Sequence, residues 1–201
     1  MTYGWMPEHD YRTMDKILNL VCETFHEGIL NTLELGVRDG RTSRGMHQYL
    51  KDKGRINFHT GIDNNNDIET PVPFEGCNLI IGNSMEVYNQ IKNSSQHFCF
   101  IDACHNYAMT MIDFLLYSAK VKVGGILAFH DTSPNIKPFT DYQGTGSKED
   151  PDNYISCRKA VRKLGLLDNP AVYFSLGWNI IFDEYDEAFP TGGIIALKKL
   201  H

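Results

Sequence analysis

The sequence predicts an α/β domain built on a largely parallel sheet, and three observations lead there. Helix-like and strand-like segments alternate along the chain, the pattern of strand–helix–strand units. The run His97 to Ile101 is nearly continuous in apolar character, as a strand covered on both faces has to be. The length, 201 residues, suits one domain able to bury its own core without staples.

A first helix is predicted from Tyr11 to His26. Met14, Ile17, Leu18, Val21 and Phe25 recur there at helical spacing, and Asp10 stands where an N-cap would. Leu30 to Leu35 is a short strand halted by Gly36, and Thr42 to Lys53 a helix stopped by Gly54. Ile56 to Ile62 is the second strand, running into Asp63 and the polar Asn64-Asn65-Asn66-Asp67. Cys77 to Ile81 is the third, ended by Gly82, with a helix from Ser84 to Lys92 behind it. After the fourth strand a helix spans Tyr107 to Val121, Gly124-Gly125 makes a turn, and Ile126 to Phe129 is the fifth strand.

The stretch from Thr132 to Asn153 contains Pro134, Pro138 and Pro151 and no periodicity. Connections of that length are commonly lids over a site or disordered surface loops. Ile155 to Leu164 reads as a basic helix. Val172 to Leu176, extendable to Phe182, and Ile194 to Lys199 read as closing strands able to pair antiparallel. With no repeat or linker, the chain is expected to be a single domain over 1–201 with a loop insertion at about 132–153.

Composition excludes several functions. Hydrophobic residues make up 42% and charged residues 22%, which is ordinary for a folded chain and not for a disordered one. Nineteen Lys+Arg against 25 Asp+Glu give a net charge of -6, which argues against binding a nucleic-acid backbone. Cys22, Cys77, Cys99, Cys104 and Cys157 show no C-x-x-C spacing and read as reduced thiols. The start MTYGWMPEHDYR is unlike a signal peptide, and no apolar run approaches a membrane span. The expectation is a cytoplasmic protein without a membrane partner; a homodimer is the commonest assembly for such domains.

The sharpest local motif is Glu34-Leu35-Gly36-Val37-Arg38-Asp39-Gly40-Arg41-Thr42-Ser43, set between a strand and a helix. Glycine at the strand end lets a ligand approach the backbone, and the N–H groups opening the helix, with Thr42, can hold a carboxylate. The G-x-x-x-G spacing is not the G-x-G-x-x-G of dinucleotide binders. The same turn can be a plain strand-to-helix corner. Asp63, at the end of the second strand, can accept both hydroxyls of a ribose, or be a solvated turn residue. Ser84, after the third strand, stands where an adenine edge would lie, or caps a helix.

A second group stands at the next two strand ends. Asp102-Ala103-Cys104-His105-Asn106-Tyr107 follows the fourth strand and His130-Asp131-Thr132 the fifth. Their separation is one strand–helix–strand unit, so the strands should be neighbours and Asp102, His130 and Asp131 should converge. Two carboxylates with an imidazole suit an octahedral divalent ion. They also suit an Asp–His hydrogen-bonded pair. His105, one turn on from Asp102, is placed to be a general base.

The segments Phe98 to Tyr107 and Val123 to Thr132, with Glu34-Leu35-Gly36, resemble the class I S-adenosylmethionine-dependent methyltransferases. The narrower resemblance is to metal-dependent O-methyltransferases related to the catechol and macrolide-sugar enzymes, over about Leu33 to Thr132. The resemblance implies a three-layer Rossmann-like fold with seven strands, mostly parallel, the last antiparallel. It implies that Glu34, Gly36, Gly40 and Thr42 cradle the methionine end of S-adenosyl-L-methionine, that Asp63 takes the ribose and Ser84 the adenine. Asp102 can also hold the cofactor ammonium. Asp102, His130 and Asp131 match the positions of ligands to a divalent ion, Mg²⁺ or Mn²⁺. In catechol-type relatives an acid and then an amide occupy the last two places.

His105 matches the general base, a histidine in the sugar-modifying enzymes, and tilts the expected acceptor towards a small sugar-like or natural-product hydroxyl. The loop with Phe139 and Tyr142 would cover that acceptor, and Trp5 and Met6 would close the site from the other side or pack on the body. Arg158, Lys159, Arg162 and Lys163 form a solvated face or an anion-binding wall.

Overall fold

The computed structural model describes residues 6–64, 74–136, 157–165, 167, 176–188 and 191–201. The elements run α1 (Glu8–Thr24), β1 (Leu30–Leu35), α2 (Arg41–Asp52), β2 (Asn57–Asp63), β3 (Cys77–Ile81), α3 (Ser84–Val87) and β4 (Gln96–Ile101). They continue with α4 (Tyr107–Tyr117), β5 (Val121–Phe129), α5 (Cys157–Lys163), β6 (Trp178–Glu184) and β7 (Ile194–Lys199). One sheet contains all seven strands in the order β3-β2-β1-β4-β5-β7-β6. β1 to β5 pair in parallel, and β7 lies antiparallel between β5 and β6. This is the expected mostly parallel sheet with an antiparallel last strand.

The sheet is covered on both faces because its inner strands alternate two apolar sets with the period of the pleat. Phe98 and Phe100 of β4, with Ile126 and Ala128 of β5, pack against Met14, Ile17, Leu18 and Val21 of α1 and Met46 and Leu50 of α2. Cys99, Ile101, Leu127 and Phe129 face the other way, onto Phe114 and Tyr117 of α4 and Val161 of α5. Those α1 residues sit at i, i+3, i+4 and i+7 and are all fully buried, which makes the helix an amphipathic lid on the first face.

Several details depart from expectation. Pro7, not Asp10, is the N-cap of α1, and Asp10 is buried inside the first turn. Gly124-Gly125 is no turn: β5 runs through both, with Gly124 at φ +81° and a register shift against β4 between Gln96 and Phe98. Glycine permits a bulge there without ending the strand. The helix after β3 is one turn of α-helix continued by a 3₁₀ turn at Tyr88–Gln90, and α4 likewise gives way to 3₁₀ at Ser118–Lys120. Strand β6 begins only at Trp178, after a turn at Leu176 and Gly177 with Gly177 at φ +78°. Residues 172–175, Trp5, Phe139, Tyr142 and nearly all of the 132–153 loop lie outside the described residues. Met6 packs into the core against α1. The five cysteines form no disulfide.

The strand order reverses between β1 and β4. In open α/β sheets ligands bind in the crevice at such a switch point, off the carboxyl ends of the strands. There Asp102 N donates to Leu35 O at 2.9 Å and Gly36 N to Ile62 O at 2.9 Å. Gly36 stands at φ +85°, and a Cβ on it would collide with the Asp102 carbonyl. Only glycine lets the end of β1 press against the end of β4.

Candidate active site

Register places the first group of candidates on adjacent strand ends: Leu35 of β1 pairs with Ile62 of β2 and with Ile101 of β4. Asp63 closes β2, and its Oδ2 accepts from Arg38 N at 2.7 Å, so it braces the glycine turn. Gly40, at φ +73°, is the left-handed N-cap of α2, and Thr42 is that helix's second residue. Arg41 N donates to Asp39 Oδ1 at 3.1 Å, which tightens the same corner.

Glu34 is buried beneath this turn. Its Oε2 accepts from Ser43 Oγ; His59 Nε2 lies 3.0 Å from that hydroxyl and 3.5 Å from Glu34 Oε2, and His59 Nδ1 lies 2.9 Å from Thr32 Oγ1. Burial pushes the Glu34 carboxyl well above the usual range, with Asp102, Asp63 and Asp39 adding to the push and the Ser43 hydroxyl opposing it. Burial also drives His59 down to about 3. Among the described residues Glu34 Oε1 is a buried oxygen without a hydrogen-bond partner. An orphaned carboxyl oxygen at the base of the turn is free to accept from a donor group of a ligand seated above it. Ser84 is directed elsewhere: its Oγ donates to Asp113 Oδ1 at 2.6 Å, and Asn83 is the residue that caps α3.

The second group converges as the spacing predicts. β4 and β5 are hydrogen-bonded neighbours. Asp102 Oδ1 lies 3.2 Å from His105 Nε2 and 3.1 Å from His130 Nδ1. Asp131 Oδ2 lies 3.2 Å from His105 Nε2 and 3.4 Å from His130 Nδ1. Two carboxylate oxygens are therefore each approached by the same two imidazole nitrogens. Asp102, His105 and Asp131 each offer an atom to a common point, all within 4.8 Å of one another. Asp131 is held at φ +52°, a conformation uncommon outside glycine, and Gly192 N donates to its Oδ1 at 3.1 Å.

Here charge outweighs burial. Desolvation opposes ionisation of all four groups, yet the neighbouring imidazoles, His130 foremost, hold Asp102 and Asp131 below the usual carboxylate range. His105 and His130 are correspondingly held above the ordinary imidazole value, against their burial, by hydrogen bonds and by the carboxylate charges. The two histidines differ in position. His105 is 20% exposed and sits on the open side, His130 is 9% exposed and sits behind the carboxylates.

Sequence reasoning missed what stands behind His130. Asp10 Oδ2 lies 3.0 Å from His130 Nε2, and Gly193 N donates to Asp10 Oδ1 and Oδ2 at 3.1 and 3.2 Å. A Cβ on Gly192 would collide with Asp10. The Gly192-Gly193 doublet before the last strand was the available signal. Of the basic cluster, Arg158 spends its guanidinium on Asp183, at 2.7 and 2.8 Å, and on the Thr132 carbonyl at 3.1 Å. A separate cavity of about 980 Å³ is lined by Arg41, Arg44, His47, Lys51, Arg55 and Phe74 among others, and takes in none of the acid–imidazole cluster.

Comparison with known proteins bears on this site. A family model described as "Methyltransferase domain" matches residues 33–132. No curated protein sequence matches the chain. Among solved structures, a putative caffeoyl-CoA O-methyltransferase from Staphylococcus aureus is 20% identical, with TM-score 0.62, over 96% of this chain and 86% of its own. The O-methyltransferase from Bacillus cereus, in complex with SAH, is 15% identical, with TM-score 0.59, over 96% of this chain and 84% of its own. MycE methyltransferase of the mycinamycin pathway, bound to Mg, SAH and mycinamycin VI, is 16% identical with TM-score 0.60; it covers all of this chain, which spans about half (51%) of it. The fold, the switch-point turn and the family match agree: residues 33–132, about half of the chain, match the methyltransferase domain family, and the whole chain shares the fold of these solved methyltransferases.

Proposed function

We propose that the chain methylates a hydroxyl of a small molecule, assisted by a divalent ion, with His105 as general base. The observation that carries the proposal is the approach of two carboxylate oxygens, each to within 3.1–3.4 Å of the same two imidazole nitrogens, beside the glycine turn. That donor set fits a six-coordinate ion held by Asp102, Asp131 and the rearward His130. Such an ion would lower the pKa of an acceptor hydroxyl and fix its direction.

The chain's own residues supply the rest. Gly36, Gly40 and the opening N–H groups of α2 form the cradle for the methionine carboxylate, and Asp63 faces the ribose position. Asp102 joins both halves of the site, because its backbone touches the cofactor turn and its carboxylate belongs to the acid–imidazole cluster. The acceptor oxygen forms a bond to the sulfonium methyl carbon as the carbon–sulfur bond breaks, its electron pair going to sulfur. His105 Nε2 receives the hydroxyl proton. Alignment supplies most of the acceleration, since the sulfonium carbon is already electrophilic. The net charge of -6 supports a small-molecule acceptor over a nucleic acid.

Transfer from radiolabelled S-adenosylmethionine to a panel of hydroxyl acceptors, with and without EDTA, tests the proposal. Label reaching oxygen, abolished by chelation and restored by added metal, is the expected result. Transfer that survives exhaustive chelation would reject the assisting ion.

A further inference from the structure

The rearward histidine is unusually well anchored for a residue at a strand end. His130 sits between two sets of carboxylates: its Nδ1 faces Asp102 and Asp131, and its Nε2 faces Asp10. Asp10 is fully buried, reaches His130 from α1, lies 3.0 Å from His9 Nε2, and is itself held by the backbone of Gly193. A carboxylate that accepts a ring N–H fixes which tautomer the imidazole adopts and raises the basicity of the other nitrogen. This carboxylate–histidine pair is the usual support behind a metal-ligating histidine. Asp10 therefore keeps the proton on Nε2 of His130, so that Nδ1, which lies 3.1 Å from Asp102 Oδ1 and 3.4 Å from Asp131 Oδ2, is the nitrogen that becomes a lone-pair donor when an incoming ion displaces its proton.

A nitrogen donor in that place changes the ion the site prefers. Mg²⁺ is hard and takes oxygen donors and water, whereas imidazole suits Fe²⁺, Co²⁺, Ni²⁺ and Zn²⁺. We propose that Asp10, acting through His130, tunes the site towards a first-row transition-metal ion and away from Mg²⁺. The inference rests on the reading above that Asp102, His130 and Asp131 hold a divalent ion. Asp10 is a positioning residue: it touches neither ion nor substrate.

The test uses the metal-stripped full chain, titrated with Co²⁺ and with Mg²⁺ by calorimetry, followed by proton NMR of the Co²⁺ form. Wild type should show one solvent-exchangeable, strongly shifted imidazole N–H, from His130 Nε2 shielded by Asp10. His130→Asp, which restores an all-oxygen set, should lose that resonance and lower the Co²⁺-over-Mg²⁺ preference by about tenfold or more. Asp10→Ala should weaken Co²⁺ binding by about 10- to 100-fold, with Asp10→Asn between it and wild type. Because Asp10 is buried, the wild-type resonance and the His130→Asp ratio carry the test if Asp10→Ala fails to fold. A metal preference unchanged in His130→Asp, or a shifted N–H that survives there and vanishes in His105→Gln, overturns the inference alone. Failure of every ion to bind overturns it together with the metal-assisted reading.

Discussion

Two polar clusters built from the same kinds of residue stand a strand apart and behave in opposite ways. Glu34, Ser43 and His59 lie under the glycine turn with almost no solvent contact, while Asp102, His105, His130 and Asp131 lie at the open ends of β4 and β5. In the first, burial dominates, raising the acid and depressing the histidine. In the second, each acid has an imidazole within 3.4 Å, mutual attraction overrides burial, and the acids fall while the histidines rise. Residue type therefore says little about charge state; the number of opposite partners decides it. The neutral cluster is suited to fixing the shape of the turn, the charged one to moving a proton.

The comparison can be broken most severely in the charged cluster. His105→Ala should reduce kcat by about 10²- to 10⁴-fold, the usual worth of a general base, while calorimetry finds S-adenosylmethionine binding unchanged. A parallel loss of cofactor affinity would mean that His105 shapes the site and does not act on the proton.

Next comes the brace on the glycine turn. Asp63→Ala removes the proposed ribose acceptor and the bond to Arg38 N, and should weaken cofactor binding by about 10- to 100-fold, as loss of hydrogen bonds to a charged group does. Undiminished affinity by calorimetry would remove Asp63 from the cofactor site.

The neutral cluster makes a stability prediction whose sign is fixed. His59 titrates near 6.5 when unfolded and near 3 when folded, so the unfolded chain binds the extra proton. Its contribution is full above pH 6.5 and is lost as pH falls towards 3. Urea midpoints should therefore decline over that window, and His59→Phe, though less stable near neutrality, should decline less. A slope identical to wild type would show that His59 is not held neutral.

The smallest effect concerns Glu34. Its folded pKa is raised, so its contribution is present below the unfolded value of about 4.5 and is lost as pH rises through the folded one. Glu34→Gln should raise the melting temperature of the unliganded protein modestly at pH 8 and weaken cofactor binding. A lower melting temperature at that pH would indicate that the carboxylate is charged and needed for folding.

Much of the fold was legible because strands and helices carry their own periodicities. β3 and β7 fall where the sequence places them, since apolar runs bounded by glycines leave little choice. The convergence of Asp102 with Asp131 was legible for a related reason: one strand–helix–strand unit separates them, and parallel neighbours put both at the same edge. Position in a motif was a weaker guide to contacts. Ser84 stands where expected, but its hydroxyl turns to Asp113, a residue of α4 that no local rule connects to it. Gly124-Gly125 reads as a turn because glycine doublets commonly are, yet pairing with β4 on both sides of it, at Val121 and again from Ile126, carries the strand past it. Asp10 was the largest miss. Local rules make it a cap, while its partners, His130 and Gly193, are 120 and 183 residues away in the chain.

That last contact has a consequence for the order of folding. β7 lies between β5 and β6, and the backbone just before it holds the aspartate that steadies His130. Pairing of the five parallel strands brings the acids and imidazoles together, but Asp10 gains its Gly193 amide only when β7 docks. The antiparallel closure of the sheet, not its parallel half, should thus set the final orientation of His130.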